Sequence, residues 1–259
     1  MVSPSIGTQL FYGTAKVQVF STRVELGIAA AQDAARLIAE AIRERGNARI
    51  MIATGNSQLD VVKELVCLPD IEWPKIDVFH MDEYVGVDGD HPAGFQRWIR
   101  ERVERKVSAR SVNYISGLGN TDEEIVRYTD LLNAGPIDIA FVGIGENGHI
   151  AFNDPSVAEF DEPQMLKRVV LDEACRQQQV NEGHFAMLDL VPKEAITVTC
   201  SGLFRAKAWI SCVPEARKAK AVRAALEGKI TTACPASLAK RHPNTTIYLD
   251  EHSAALLAH

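Results

Sequence analysis

The 259-residue chain has little that would tie it to a membrane, a nucleic acid or a disulfide framework. No apolar run approaches the ~20 residues that a membrane-crossing helix needs. The formal charge is -6, and there is no basic stripe to neutralise the phosphates of a nucleic acid. The cysteines, Cys67, Cys175, Cys200, Cys212 and Cys234, are odd in number and scattered, with no C-x-x-C spacing. This pattern excludes a disulfide scaffold and a zinc knot, and fits free thiols in a reducing cytoplasm. A charged segment followed by an apolar one is missing from the N-terminus, so no secretion signal is expected. Repeats, low-complexity tracts and long linkers are missing too. What is present is length enough for a substantial core, and we expect residues 1–259 to form one domain.

The hydrophobic pattern alternates between strand and helix. Residues 1 to 15 show no clear periodicity and are expected to be partly ordered at best. Strands are expected at Lys16–Phe20, Arg49–Ala53, Ile76–His80, Ser111–Ile115 and Ile137–Val142, and again at 167–171, 195–200, 208–213 and 244–249. Between them, Thr22 caps a long helix, about Arg23 to Arg45, that Gly46 ends. Leu59 to Val66, the stretch around Phe95 and Trp98, and Ala216 to Glu227 closed by Gly228 also read as helices. Thr121-Asp-Glu-Glu124 has the form of a capping box for a helix to about Asn133. Residues 172 to 190 are polar and read as a helix plus a mobile segment over the site. Repeated β-α alternation predicts an α/β, Rossmann-like, mostly parallel sheet with helices on both faces. Sites in such a sheet lie at the carboxyl ends of strands.

Three strand ends carry reactive residues. Val142-Gly-Ile-Gly-Glu-Asn-Gly-His-Ile-Ala-Phe-Asn-Asp-Pro155 places glycines, then His149, among Asn147, Asn153 and Asp154. Its G-x-G-x-x-G spacing invites a dinucleotide reading, but the residues that follow are too polar and proline-bounded to open the required helix. Thr54-Gly55-Asn56-Ser57, between a strand and a helix, has the arrangement of an anion site; a plain turn with Ser57 as helix cap fits equally. Asp82 and Glu83 follow a third strand, and strand alternation lets only one of them face a pocket. A buried carboxylate there can serve as a general base, and a surface carboxylate or a helix cap is the plainer alternative. Lys218, at a helix start, could neutralise a phosphate, although a helix lysine is more often simply solvated. His80, Asp82, Asp88, Asp90 and His91 are all metal-ligand types, but their spacing matches no strong metal motif. Together the parts suggest proton transfer at carbon on a small phosphorylated substrate.

Several segments then resemble one family. Phe79-His-Met-Asp-Glu-Tyr-Val-Gly86 is similar to the F-x-M-D-E-Y-x-G signature of the glucosamine-6-phosphate deaminase/isomerase family, and Gly143 to Pro155 resembles its G-x-G-x-[DN]-G-H-I-x-F-N-E-P segment. Val191-Pro-Lys-Glu-Ala-Ile-Thr197 and Arg217-Lys-Ala219 follow in the family's order. The resemblance implies conversion of glucosamine 6-phosphate and water to fructose 6-phosphate and ammonia, without a metal or organic cofactor. It implies that Asp82 is the base moving a proton between C2 and C1, and that His149 opens the pyranose ring. Lys218 and Thr54, Gly55, Asn56 and Ser57 fall on phosphate contacts.

Departures from the pattern accompany it. Asn147 stands where some members carry Asp, and Asp154 where Glu is usual; if Asp154 supports His149, the backbone must come closer or a water must bridge. Near His184 the family often has a phosphate-binding arginine, and Arg176 is the available substitute. The rivals are a 6-phosphogluconolactonase, which shares the fold and the G-x-G-x-[DN]-G-H segment, and a non-catalytic sugar-phosphate sensor. Met81 to Tyr84 and Ile150 to Asn153 speak against the first, and the absence of a helix-turn-helix segment against the second. The expected partner is a small phosphorylated amino sugar; a homo-oligomer is compatible with the sequence and is not specified by it.

Overall fold

The computed structural model describes residues 7–258. Strands β1 (Gln9–Tyr12) and β2 (Ala15–Phe20) are followed by helix α1 (Arg23–Arg45), β3 (Ala48–Ile52) and α2 (Leu59–Cys67). Next come β4 (Ile76–His80), β5 (Asp82–Tyr84), α3 (Phe95–Ile99), β6 (Ser111–Asn113), α4 (Thr121–Asn133) and β7 (Ile139–Phe141). Then β8 (Leu166–Val170), α5 (Glu173–Asn181), β9 (Glu194–Val198) and α6 (Cys200–Phe204). The chain ends in β10 (Ala208–Val213), α7 (Ala219–Glu227), β11 (Thr245–Asp250) and α8 (Glu251–Ala254).

Eight strands form one sheet in the order β1-β2-β11-β10-β7-β3-β4-β6, parallel throughout except for β1 with β2. All five residues of β3 are buried, as expected for a central parallel strand covered on both sides. Strand alternation sorts them: Ile50 and Ile52 join α1 and α2 through Leu26, Ala30, Ala34, Ile38, Val61 and Leu65 on one face. Met51 joins Tyr128, Leu132, Val222 and Leu226 of α4 and α7 on the other. Each such fully buried aliphatic side chain contributes roughly 1.5–3 kcal/mol. The expected α/β architecture with helices on both faces is therefore what forms.

Thr22 caps α1 in a full capping box, accepting from the Glu25 N–H while the Glu25 carboxylate accepts from its own, and Gly46 closes the helix at φ 80. Such a cap stabilises by about 1 kcal/mol.

Four expectations differ from the structure. Residues 9–12, without visible periodicity, form β1 by pairing with β2, so tertiary contact supplies the order; residues 1–6 lie outside the described part. The cap of α4 is Asn120 rather than Thr121, because its carboxamide oxygen accepts from the N–H groups of Asp122 and Glu123. Glu124 turns to Arg127 and to the Ser116 N–H instead of closing a box. Gly228 ends α7 in extended geometry (φ -72, ψ 178), not left-handed; a Cβ there would lie 2.4 Å from the Ala224 carbonyl oxygen. Finally, the strands near 167–171 and 195–200 join β5 in a separate antiparallel sheet, β5-β9-β8. Met81 alone separates β4 from β5, so the chain steps from the large sheet to the small one at this residue.

Candidate active site

The strand order doubles back at β3 and β7, which pair with each other while β4 and β6 lie beyond one and β10 and β11 beyond the other. A crevice opens at the carboxyl ends of two such strands. The loops leaving both line an open cleft with about 640 Å³ of empty space. Thr54 to Ser57 come from β3, Gly143 to Gly145 and His149 from β7, Asp82 from β5, and Lys218 from the turn after β10.

Asp82 and Glu83 are both buried, and they face apart. Glu83 is the helix cap: Oε1 accepts from the N–H groups of Tyr84 (3.0 Å) and Phe95 (3.2 Å), and Oε2 from that of Gln96 (2.8 Å). Burial raises its pKa to about 7 against the pull of those N–H groups. Asp82 faces the cleft, and its Oδ1 has no hydrogen-bond partner among the described residues. Burial, and then the neighbouring Glu83 charge, push its carboxyl well above the usual range. A buried carboxylate with a bare oxygen and a raised affinity for protons is what a general base requires.

His149 is held from behind. Its Nδ1 lies 2.8 Å from Asn147 Oδ1 and 3.0 Å from Asp154 Oδ1, and Asn147 Nδ2 donates to that same Asp154 oxygen at 2.8 Å. With Nδ1 as donor to Asp154, Nε2 is left as the nitrogen able to take a proton. Although burial opposes it, hydrogen bonds from His149, Asn147 and the Cys175 thiol hold Asp154 below its ordinary pKa. The shorter Asp154 therefore reaches the imidazole directly, and no bridging water is needed. Two glycines have identifiable reasons. Gly148 takes φ 86, and a Cβ on residue 145 would sit 2.2 Å from the His149 ring, so only glycine leaves the imidazole its place.

The remaining corner of the cleft is built from backbone and a buried cation. Asn56–Gln58 form a single 3₁₀ turn ahead of α2, and its Ser57 makes no side-chain cap, so the plain capping alternative does not apply. Ser57 Oγ accepts instead from Gln58 Nε2 at 2.9 Å. Lys218 is 5% exposed, and burial lowers its pKa. It is fixed by a strained turn: Glu215 takes φ 84, its N–H donates to Asp250 Oδ2 (3.0 Å), and its carboxylate pairs with Arg23 (2.9 Å) and Arg217 (2.7 Å). A non-glycine residue in this conformation persists only where its surroundings hold it.

Asp82, His149, Thr54, Gly55, Asn56, Ser57 and Lys218 thus line one cleft, with Asn147 and Asp154 directly behind His149. Arg176 does not line it. Its guanidinium donates to the carbonyls of Leu188 (2.5 Å) and Val191 (3.2 Å), tying down the segment after α5. The reason is helical geometry: residue 176 is two positions from cleft-lining Gln178 and so points to another face. The sequence reading missed Gln178, Gln179 and Glu182 of α5 and its end, together with His184, all of which line the cleft. The i, i+4 polar spacing of Gln178 and Glu182 was the one available signal. His80, at the end of β4, is structural: it is fully buried, its Nε2 accepts from the Ile115 N–H at 2.6 Å, and burial lowers its pKa to about 3.

Residues 21–248 match the model of the family described as glucosamine-6-phosphate isomerases/6-phosphogluconolactonase. The glucosamine-6-phosphate deaminase of Exiguobacterium sibiricum is 36% identical over 220 residues, 85% of each chain. That of Lactobacillus delbrueckii subsp. bulgaricus is 32% identical over 243 residues, 93% of this chain and 99% of that one. Among solved structures, a monomeric glucosamine-6-phosphate deaminase superposes with a TM-score of 0.84 at 29% identity, covering 93% of this chain and 99% of that one. The 6-phosphogluconolactonase of Trypanosoma brucei superposes at 0.74 with 19% identity, covering 98% and 100%, a likeness of fold alone. On the matched residues and these relatives, the chain belongs to the glucosamine-6-phosphate isomerase/6-phosphogluconolactonase family.

Proposed function

We propose that this chain is an enzyme that converts glucosamine 6-phosphate and water to fructose 6-phosphate and ammonia. The observation that carries the reading is the convergence of Asp82, with its bare buried oxygen, and His149, oriented through Nδ1, on the cleft that also holds the 55–57 turn and Lys218.

The chemistry follows from the chain's own groups. His149 carries a proton from the C1 hydroxyl to the ring oxygen, so the C1–O5 bond breaks, the C1 carbonyl forms and the open-chain aldehyde results. The carbonyl acidifies the C2–H. Asp82 takes that proton, the electron pair forms the C1–C2 double bond, and the carbonyl oxygen gains a proton. Asp82 then returns its proton to C1 and the C2–N bond becomes an imine. Water adds to C2, the C–N bond breaks, and ammonia leaves. Asn147 and Asp154 position the imidazole. The turn and Lys218 hold the phosphate, whose binding energy keeps C1 and C2 in register with the carboxylate. An acid/base group of this kind contributes ~10²–10⁴-fold.

The family match over 21–248 supports reading 1–259 as one catalytic domain. No helix among the described residues is long and apolar enough to cross a membrane, and the cysteines are free. We assign the reaction to the cytoplasm, where thiols stay reduced.

The test supplies glucosamine 6-phosphate and, separately, 6-phosphogluconolactone, each with and without chelator. Ammonia and fructose 6-phosphate should appear in equal amounts from the first, unaffected by chelator. Lactone hydrolysis without ammonia release would overturn the reading.

A further inference from the structure

The cations of the phosphate corner already hold an anion of the protein's own. Glu182, which ends α5, lines the same cleft as Lys218 and the 55–57 turn, and its side chain is 7% exposed. Oε1 lies 2.9 Å from Arg217 Nη1 and 2.9 Å from Gln178 Nε2, and Oε2 lies 3.4 Å from His184 Nε2. Burial works against the anion, yet the hydrogen bonds from His184 and Gln178 and the charges of Lys218 and Arg217 bring its pKa down to about 2. Lys218 itself has no carboxylate within 4 Å among the described residues. An arginine, an imidazole and a nearby lysine around one buried carboxylate make a donor set that suits a phosphoryl group equally well.

We infer that Glu182 is a resident stand-in for the substrate's phosphoryl group: it neutralises the cationic corner of the empty cleft, gives up Arg217 and His184 when phosphate arrives, and so sets how tightly phosphate binds. This rests on the phosphate corner of the proposed function. Two like-charged anions cannot share these donors at close range without strong repulsion in a desolvated cleft. Each bound phosphate therefore displaces the carboxylate, and its affinity is lowered by the cost of that displacement. Because α5 carries Glu182, displacement also loosens the contact between α5 and the turn bearing Arg217 and Lys218. Glu182 is thus a specificity-determining residue for the anionic end of the substrate, remote from the proton transfer.

The test uses inorganic phosphate as probe, measured by calorimetry and as a competitive inhibitor of glucosamine 6-phosphate turnover. Glu182→Gln keeps the shape and an acceptor oxygen but removes the charge. It should tighten phosphate binding on the order of tenfold. KM for the sugar phosphate should fall in step, with kcat moving less than KM. Glu182→Ala removes charge and acceptor together and serves as the second variant; it too should bind phosphate more tightly than wild type. Glu146 also pairs with Arg217, at 3.2 Å, but does not line the cleft, so Glu146→Gln controls for net charge and should have a smaller effect. Phosphate affinity that is unchanged or weaker in both Glu182 variants, or equal gains in Glu146→Gln, would overturn the inference while the proposed reaction stands. Wild-type protein that neither turns over glucosamine 6-phosphate nor binds phosphate would overturn the inference and the proposed function together.

Discussion

The two walls of the cleft are held by different means. One wall is the edge of the large sheet together with β5: Thr54 to Ser57, Gly143 to Gly145 with His149, and Asp82, all issuing from strands with fully buried cores. The other is α5 and its end: Gln178, Gln179, Glu182 and His184. Only Cys175 and Gln179 of that helix are buried, so it stays in place mainly through side-chain bonds. Tyr84 Oη donates to Gln179 Oε1 at 2.9 Å, and Arg217 pairs with Glu182 at 2.9 Å. Proton transfer between adjacent carbons tolerates little misplacement, and the groups we propose for it sit on the wall borne by buried strands. Binding and release are expected to draw on the element with the smallest share of buried side chains, which among the cleft-lining elements is α5. Changes at Asp82 and His149 should therefore act on kcat, and changes on the second wall, like those at the turn proposed to hold phosphate, on KM.

The sharpest test of that division is Asp82→Asn. It removes the base while keeping size, so kcat should fall ~10²–10⁴-fold with little change in KM. Steady-state kinetics checks this, and equal activity in the variant would remove the base assignment. The same substitution should change stability in the opposite sense. Asp82 and Glu83 both have raised pKa values in the folded chain, Asp82 through burial and Glu83, to about 7, through burial. A raised carboxyl pKa means that its contribution is complete below the ordinary carboxylate range and is lost as pH rises through the raised value. Wild type should thus lose stability between about pH 5 and about pH 8, and Asp82→Asn, with one buried charge fewer, should lose less. Urea midpoints at the two pH values decide it, and parallel losses would show that Asp82 titrates normally.

What the sequence made legible follows the same division. β3, β4 and β7 are β-branched runs ending in polar residues, and a parallel sheet brings such ends to one edge whatever the strand order. Asp82, His149 and the Thr54 to Ser57 turn could therefore be placed together without knowing the topology. The reason for Gly145 was invisible, because it is the His149 ring that forbids a side chain there. The small sheet was also hidden, since β5, β8 and β9 look like any short strands and differ only in their partners. The α5 wall was the least legible part. Its helix is expected over the site, but which face meets the cleft depends on long-range packing, and Arg176 lies on a face that does not line it.

Lys218 lies between the two walls, on the turn that α5 grips through Arg217. It is a buried cation, 5% exposed. Lys218→Ala should raise KM about 10- to 100-fold, the range for losing a charge-assisted bond, and alter kcat far less. An unchanged KM would remove it from the phosphate corner and leave the 55–57 turn alone in that role.

Tyr84 is one direct link between the walls, beside the Cys175 thiol bond to Asp154, and it should give the smallest effect. Its ring is buried two residues from the base, packed at 4.9 Å from Phe95, 5.2 Å from Phe152 and 5.5 Å from Phe185 between ring centroids. Tyr84→Phe keeps that packing and deletes only the hydroxyl that donates to Gln179. The lost bond costs about 0.5–1.5 kcal/mol, with the Gln179 oxygen left partly buried. If α5 is a separately held wall, this cost falls on α5 docking: KM should rise a few-fold, kcat should stay within about twofold, and amides of α5 should exchange faster while those of β3 and β7 do not. A loss confined to kcat would mean that the hydroxyl positions Asp82 through the backbone of β5, and the two walls would then have to be treated as one.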